Sequence, residues 1–229
     1  MNKIPADTTP MRFVFVMTYG RSGSTLLQKI LNSSDGVCIR GENMDVLLHL
    51  AKSWAIFDSN AEMQKLRKSK TVHHDGNPWY GMHLTDGARY GQGLADTFVR
   101  EVLCPPEGTQ VSGFKEIRWH NEPDWFEQRM EFLKRFFPGA RFIINTRNHE
   151  GVANSGWWKT CSRDKVFARL QEAENLLMDW AQRHQDICCH VHYDDYTRNI
   201  ELLRPAYRLI GLDYDPQRIA EAMAIRLQH

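Results

Sequence analysis

The feature that most constrains the fold is an apolar run, Arg12–Thr18 (RFVFVMT), that ends in a turn rich in glycine and serine. Runs of β-branched and aromatic residues are typical of strands buried on both faces of a parallel sheet. A helix is predicted directly after the turn, over Ser24–Asn32. The chain therefore opens with the strand, turn and helix from which parallel α/β sheets are built.

Strand and helix patterns alternate along the rest of the chain. This alternation predicts an α/β fold in three layers, with a doubly wound, mostly parallel sheet that binds ligands beyond the carboxyl ends of its strands. Further strands are predicted at Val37–Ile39, Val111–Ile117, Arg141–Thr146 and Ile187–Tyr193. Helices are predicted at Met44–Trp54, at Leu94–Leu103, after an Asn121 cap with Pro123 in the first turn, and at Asp164–His184, Asn199–Ile210 and Pro216–Leu227.

Length and charge limit the classes of function. The 229 residues are enough for one α/β domain with a sizeable buried sheet and few for two, so 1–229 is predicted to be a single domain. The net charge of +1 gives no field that would attract nucleic acid or anionic lipid. No run approaches the length of a membrane span, the first twelve residues lack the apolar core of a signal peptide, and five cysteines are an odd number without paired spacing. We therefore expect a cytoplasmic protein without membrane insertion or a nucleic-acid partner.

The turn after the first strand carries the strongest functional signal. Thr18–Leu27 (TYGRSGSTLL) has two glycines that let the backbone curl, hydroxyl groups, and the guanidinium of Arg21 at the start of a helix. Inward-pointing N–H groups at a helix start bind phosphate or sulfate. The simpler alternative, a serine-rich turn in which Ser24 caps the helix, needs only one hydroxyl. The density of donors favours an anion site.

A comparison with the P-loop pattern G-x-x-x-x-G-K-[ST] narrows the chemistry of this P-loop-like turn. When Gly23 is aligned with the second glycine, the first glycine falls on Thr18 and the lysine on Ser24. Triphosphate hydrolysis is therefore disfavoured. Tyr19–Leu27 instead resembles the loop that binds the 5′-phosphosulfate of 3′-phosphoadenosine-5′-phosphosulfate (PAPS) in the carbohydrate and tyrosylprotein sulfotransferases, where arginine replaces lysine. The resemblance implies that the 5′-phosphosulfate is held by Arg21, Ser22, Gly23, Ser24 and Thr25.

A second segment supplies the other half of the donor site. Arg147 follows the predicted strand Arg141–Thr146, and Ser155 comes eight residues later. An arginine at the carboxyl end of a strand and a serine two turns into the next helix are expected to converge on a separate phosphate. In the sulfotransferases this arrangement binds the 3′-phosphate. The family often has Asp-Pro after the arginine, whereas Asn148 and His149 stand here, so the local turn is expected to differ.

Two residues are candidates for the chemistry itself. Glu42 follows the short second strand, at the predicted start of a helix, and its position resembles that of the family's general base. The alternative is a carboxylate that only stabilises a helix start. Lys115 ends the next strand, and the resemblance implies that it contacts the sulfuryl group or the leaving phosphate, with Arg21 sharing that charge; its alternative is an ordinary surface lysine.

Other signals carry less weight. Tyr193–Tyr196 resembles the family's Tyr-Glu-Asp-Leu segment, with Asp195 or Thr197 expected to cap a helix. The run Cys188–His192 contains potential zinc ligands, but adjacent strand residues lack the spacing of real zinc sites. Trp157 and Trp158 suit either adenine packing or the core.

Together these patterns predict metal-independent, in-line transfer of a sulfuryl group from PAPS to an acceptor hydroxyl, with 3′-phosphoadenosine-5′-phosphate (PAP) as the product. A small-molecule kinase with a degenerate P-loop, which would need Mg²⁺, and a non-catalytic nucleotide-binding module are the alternatives. A carbohydrate or other small molecule is the expected acceptor. Residues 71–93 are predicted to form a long acceptor-side loop, whose aromatic residues suit ring stacking. The sequence does not decide the oligomeric state or whether His73, His74 or His83 contacts the acceptor.

Overall fold

The protein is described here by a computed structural model, in which residues 10–69 and 73–224 are placed. Its centre is a five-stranded sheet in the order β2-β3-β1-β4-β5. Every pairing between neighbouring strands is parallel. The expected α/β fold is therefore confirmed. The strands are β1 Arg12–Met17, β2 Val37–Arg40, β3 Val111–Glu116, β4 Arg141–Thr146 and β5 Cys188–His192.

Helices cover both faces of the sheet, because alternate side chains of a strand point to opposite faces. The helices are α1 Ser24–Leu31, α2 Val46–Ser59, α3 Ala61–Ser69, α4 Gly87–Phe98, α5 Phe126–Phe136, α6 His149–Ala153, α7 Arg163–Arg183, α8 Tyr193–Tyr196, α9 Arg204–Ile210 and α10 Pro216–Ala224. Phe13, Phe15 and Met17 pack on one side with α2, α4, α5 and α7, and Val14 and Val16 pack on the other with α1, α9 and α10. The result is the three-layer arrangement that the sequence predicts.

The prediction of one long loop over 71–93 followed by a helix over Leu94–Leu103 is wrong. Residues 71 and 72 lie outside the described part, but α4 already begins at Gly87, where Asp86 accepts a hydrogen bond from the backbone N–H of Arg89. Three glycines in this helix lower its intrinsic propensity and conceal it in the sequence. Gly91 has a packing role, since a Cβ there would lie 2.2 Å from the Phe136 ring. Beyond Phe98 the chain forms a short π-helical segment, Val99–Leu103.

Several helix boundaries near the sheet's carboxyl edge also differ from the prediction. The second helix begins at Val46 and extends to Ser59, so Glu42 lies four residues before it and not at its start. Helix α6 ends at Ala153, so Ser155 lies beyond it. Both differences arise because tight turns occupy residues for which the sequence pattern predicts helix.

Smaller corrections concern caps and the C-terminal helices. A 3₁₀ turn at Pro123–Trp125 precedes α5, so Asn121 is not its cap. Residues 193–196 form α8, so Asp195 lies inside a helix. The helix predicted at Asn199–Ile210 begins as a 3₁₀ turn over Ile200–Leu203, and the end of the one predicted at Pro216–Leu227 lies outside the described residues.

The edge strand β2 is bonded to the end of α1. The Asn32 side chain accepts from the Ile39 N–H at 2.7 Å and donates to the Ile39 carbonyl at 2.9 Å. Gln28 donates to the same carbonyl at 3.2 Å. These bonds fix the strand that leads into Glu42.

Candidate active site at the carboxyl edge of the sheet

A cleft of about 410 Å³ opens where the five strands end. Each strand is followed, within a few residues, by a side chain that lines it, as expected for the carboxyl edge of a parallel sheet. The sequence candidates Arg21, Glu42, Lys115 and Arg147 meet here. The lining residues are Gly20, Arg21, Gly23, Ser24, Thr25, Leu26, Glu42, Lys115, Ile117, Arg147, Trp157 and Tyr193.

The loop after β1 has the curled backbone that its composition predicts. Arg21 and Gly23 both have left-handed backbone angles, with φ of 68° and 81°. A Cβ on Gly23 would lie 2.0 Å from the Tyr193 ring, so this position requires glycine on both conformational and steric grounds. Tyr193 therefore packs directly against the loop that follows β1.

Ser22 faces the inside of this loop and not the cleft. Its side chain is fully buried, and its hydroxyl lies 2.6 Å from Thr18 Oγ1, which also donates to the Asn145 carbonyl at 2.6 Å. Asn145 donates in turn to the Ser22 carbonyl at 2.9 Å. The hydroxyl of Ser22 therefore ties the loop to β4, whereas Ser24 and Thr25 line the cleft.

Arg147 and Ser155 occupy different places around the loop. Arg147 donates from Nη1 to the Arg21 carbonyl at 3.1 Å, and its guanidinium lies 4.5 Å from the centre of the Tyr193 ring. Its Nε is buried and has no hydrogen-bond partner in the described part of the protein. Ser155 accepts from Arg21 Nε at 3.0 Å, so it orients Arg21 and is not itself among the lining residues.

A buried tyrosine, which sequence reasoning missed, supports the backbone of Arg147. Tyr19 Oη accepts from the Arg147 N–H at 2.9 Å and donates to Glu174 Oε1 at 2.5 Å. Burial and then the hydrogen bond to Glu174 raise the pKa of Tyr19 far above its usual value, so the phenol is neutral. Glu174 also lies 3.2 Å from His149 Nε2.

The opposite side of the cleft is a chain of ion pairs. Glu42 Oε1 accepts from Lys115 Nζ at 2.6 Å, and Glu42 Oε2 accepts from Arg118 Nη1 at 3.0 Å. Arg118 Nη1 also donates to Glu116 Oε1 at 2.7 Å. The candidate base is thus held between two cations, one of which, Arg118, the sequence did not single out.

Comparison with known proteins identifies the family. A model of the Sulfotransferase family matches residues 14–216. The chain belongs to the sulfotransferase family. No curated protein matches it.

Solved structures show the same fold as this sulfotransferase. The sulfotransferase domain from the Synechococcus PCC 7002 olefin synthase is similar at a TM-score of 0.62 and 16% identity, over 97% of this chain and 80% of that one. The sulfotransferase domain from the curacin biosynthetic pathway is similar at 0.51 and 10% identity, over 96% and 80% of the two chains. At these identities the likeness concerns the fold alone.

One aromatic residue of the predicted acceptor-side loop, Tyr90, contacts α2, whereas Trp79 and Tyr80 are exposed. The Tyr90 hydroxyl lies 2.7 Å from the Ser53 hydroxyl, and the Tyr90 ring packs at a tilted angle against that of Phe57; Ser53 and Phe57 both belong to α2. Arg67 of α3 donates to Thr85 at 2.9 Å. No described residue between 73 and 93 is among those lining the cleft. An acceptor role for this segment stays a prediction.

The Cys188–His192 run forms β5. Burial raises the pKa of the Cys188 thiol to about 12, so this sulfur is protonated at neutral pH. His190 Nε2 lies 2.8 Å from Thr146 Oγ1. Across residues 10–69 and 73–224, no three His, Cys, Asp or Glu side chains are grouped to hold a metal, and no helix has the length and apolar character of a membrane span.

Proposed function

We propose that this sulfotransferase moves the sulfuryl group of PAPS in line onto a hydroxyl of a small-molecule acceptor, such as a carbohydrate, and releases PAP. The observation that supports this best is the meeting of three cations, Arg21, Lys115 and Arg147, with one carboxylate, Glu42, around a single cleft. Cations suit a donor that carries two anionic groups, and a carboxylate suits the removal of a hydroxyl proton.

The donor side of the cleft fits two separate anionic groups. The curled loop offers backbone N–H groups with the hydroxyls of Ser24 and Thr25 at the start of α1, as a phosphosulfate requires. Arg147 has an unpartnered Nε on the neighbouring strand end, as a 3′-phosphate requires. PAPS supplies an activated S–O bond when bound, and these residues would hold its two ends.

The remaining residues handle charge and the proton. The reaction forms an S–O bond to the acceptor and breaks the S–O bond to the 5′-phosphate, so negative charge grows on the leaving phosphate. Lys115 and Arg21 would stabilise that charge, because both line the same cleft. Glu42 would take the proton of the acceptor hydroxyl as general base.

Binding measurements test the donor assignment directly. By calorimetry, PAP should bind at least about tenfold more tightly than AMP, because a charge-assisted contact to the 3′-phosphate contributes about 1.5–3 kcal/mol. Arg147→Ala should remove most of that difference. Arg141→Ala, at the opposite end of the same strand, is the matched control and should keep it. Equal affinity of the wild type for PAP and AMP would disprove the proposal.

The proposal includes independence from metal ions. Glu42 is the one carboxylate among the described residues that line the cleft, and it already pairs with Lys115 and Arg118. A divalent cation prefers several oxygen ligands. Donor binding and turnover should therefore persist in EDTA; activity that disappears in EDTA and returns with Mg²⁺ would favour a kinase. Screening acceptors with labelled PAPS would identify the hydroxyl compound.

A further inference from the structure

The turn that follows Glu42 has an unfavourable backbone. Met44 and Asp45 are consecutive residues with positive φ, 56° and 62°, and neither is glycine. Left-handed angles in residues that carry a Cβ cost free energy and persist only where surrounding contacts impose them. Something next to the candidate base must therefore hold this turn.

One contact that holds its backbone is the carboxylate of Glu116, the last residue of β3. Glu116 is fully buried, and its Oε2 accepts from the backbone N–H groups of Asn43 and Asp45, both at 3.3 Å. Its Oε1 accepts from the Ile117 N–H at 2.8 Å and from Arg118 at 2.7 Å. Four donors therefore converge on one buried carboxylate and use both of its oxygens.

The same carboxylate reaches Glu42 by a second route. Arg118 Nη1 bridges Glu116 and Glu42, while Lys115, the residue before Glu116, contacts the other oxygen of Glu42. Consecutive residues of β3 thus hold the candidate base in two ways. Lys115 contacts it directly, and Glu116 acts through Arg118 and the turn.

We infer that Glu116 is a positioning residue for Glu42: it imposes the left-handed turn at 43–45 and, through Arg118, fixes the direction in which the Glu42 carboxylate faces the cleft. This inference rests on the proposed role of Glu42 for its meaning in catalysis. The competing explanation is that Glu116 only stabilises the end of β3, in which case Glu42 would keep its place without it.

Nuclear magnetic resonance on Glu116→Gln separates the two explanations without an acceptor. The amide of glutamine has one acceptor oxygen, and its NH₂ group cannot accept the hydrogen bonds that the second carboxylate oxygen accepts in the wild type. Hydrogen exchange at the Asn43 and Asp45 amides should accelerate at least about tenfold, as expected when a hydrogen bond to a charged group is lost. The ammonium signal of Lys115, sheltered by its contact with Glu42 and 7% exposed, should disappear, as it should in Glu42→Gln.

Two further variants keep the test decisive. Glu122→Gln removes a carboxylate that pairs with Lys52, outside the cleft lining, and should leave both signals unchanged. Arg118→Met removes the bridge from a partly exposed position and should weaken the Lys115 signal even if Glu116→Gln fails to fold. With an acceptor from the screen, kcat for Glu116→Gln should fall about tenfold or more while the KM for PAPS changes less than about twofold.

The result that would overturn the inference is a folded Glu116→Gln or Arg118→Met protein in which the Lys115 signal and the two amides behave as in the wild type. Failure of the proposed function has a different signature. Glu42→Gln would then turn over normally, or PAP would bind no better than AMP, whatever the resonance experiments show. The two ideas can therefore fail independently.

Discussion

The two sides of the cleft are built from different kinds of contact. On the donor wall, defined as the 18–25 loop with Arg147, the cations bond to neutral groups: Arg21 to the Ser155 hydroxyl and Arg147 to a backbone carbonyl. Within the described part of the chain, neither arginine forms an ion pair with a carboxylate. On the base wall, defined as residues 42–45 with 115–118, Lys115 and Arg118 are each paired with glutamate at 2.6–3.0 Å.

This difference shows how one small cleft can serve opposite charges. On the donor wall, neutral partners orient the guanidinium groups without neutralising them, which would leave their positive charge available to the proposed donor. On the base wall the cations are paired with Glu42 and Glu116, and these contacts hold the Glu42 carboxylate in a fixed place. The predictions below alter one wall at a time.

The largest effect is expected on the base wall from Glu42→Gln. The amide keeps the shape of the side chain but cannot take a proton, so kcat should fall by about 10²–10⁴. Calorimetry should show PAP affinity nearly unchanged, because the donor wall is intact. Turnover close to that of the wild type would assign the base to another residue.

The base wall also depends on a buried ion pair behind it. Arg129 is fully buried, donates to Asp45 at 2.7 Å and to the Trp119 carbonyl at 2.8 Å, and packs on the Trp119 ring. Arg129→Met would leave Asp45 without its buried partner, so denaturant unfolding should show a loss of about 3–5 kcal/mol. Arg183→Met, which breaks the exposed pair with Glu127, is the control and should cost less than about 1 kcal/mol.

A histidine beside this pair gives a pH-dependent test. Burial, with repulsion from Arg169 and Arg129, lowers the pKa of His120 to about 4 from the usual 6.5. The unfolded chain then binds a proton that the folded protein does not, so stability is complete above pH 6.5 and is lost as the pH falls toward 4.

Between pH 7 and pH 4.5 this residue should account for about 2 kcal/mol of lost stability. His120→Gln removes the titrating group. Between pH 7 and pH 4.5 the unfolding free energy of this variant should therefore fall by about 2 kcal/mol less than that of the wild type. Parallel curves for the two proteins would show that His120 does not contribute to the acid sensitivity of the base wall.

The smallest effect is expected from two serines of the donor wall. Ser22→Ala removes the buried hydroxyl that contacts Thr18, so we expect a loss of about 1 kcal/mol in unfolding free energy and little change in PAP affinity. Ser24→Ala removes a hydroxyl that lines the cleft and should weaken PAP binding instead. If Ser22→Ala weakened PAP binding in calorimetry and left thermal stability unchanged, Ser22 would contact the donor, as the resemblance implies.

Local signals explain what could be predicted from the sequence. The strands were found because each is a short apolar run, and the turn at 18–25 was found because its glycines, hydroxyls and arginine are contiguous. The fold and the family are confirmed. Dependence on local signals also explains why the first part of α4 was predicted to be a loop: its glycines are typical of loops.

The missing parts of the site depend on contacts between residues far apart in the chain. Glu116 holds backbone groups more than 70 residues away, with separations of 73 and 71 positions to Asn43 and Asp45. Ser155, which lies 134 residues further along the chain, accepts a hydrogen bond from Arg21. No spacing rule predicts such pairs, because the topology of the sheet brings them together.

The side-chain amide of Asn32 has a consequence for how copies of this protein meet. An edge strand normally presents free N–H and C=O groups that another chain can join, which is a route to fibres and to strand exchange. Here Asn32 occupies both groups of Ile39 in the middle of a four-residue strand. A partner strand would first have to displace the Asn32 side chain from Ile39, so this one amide disfavours growth of the sheet past β2.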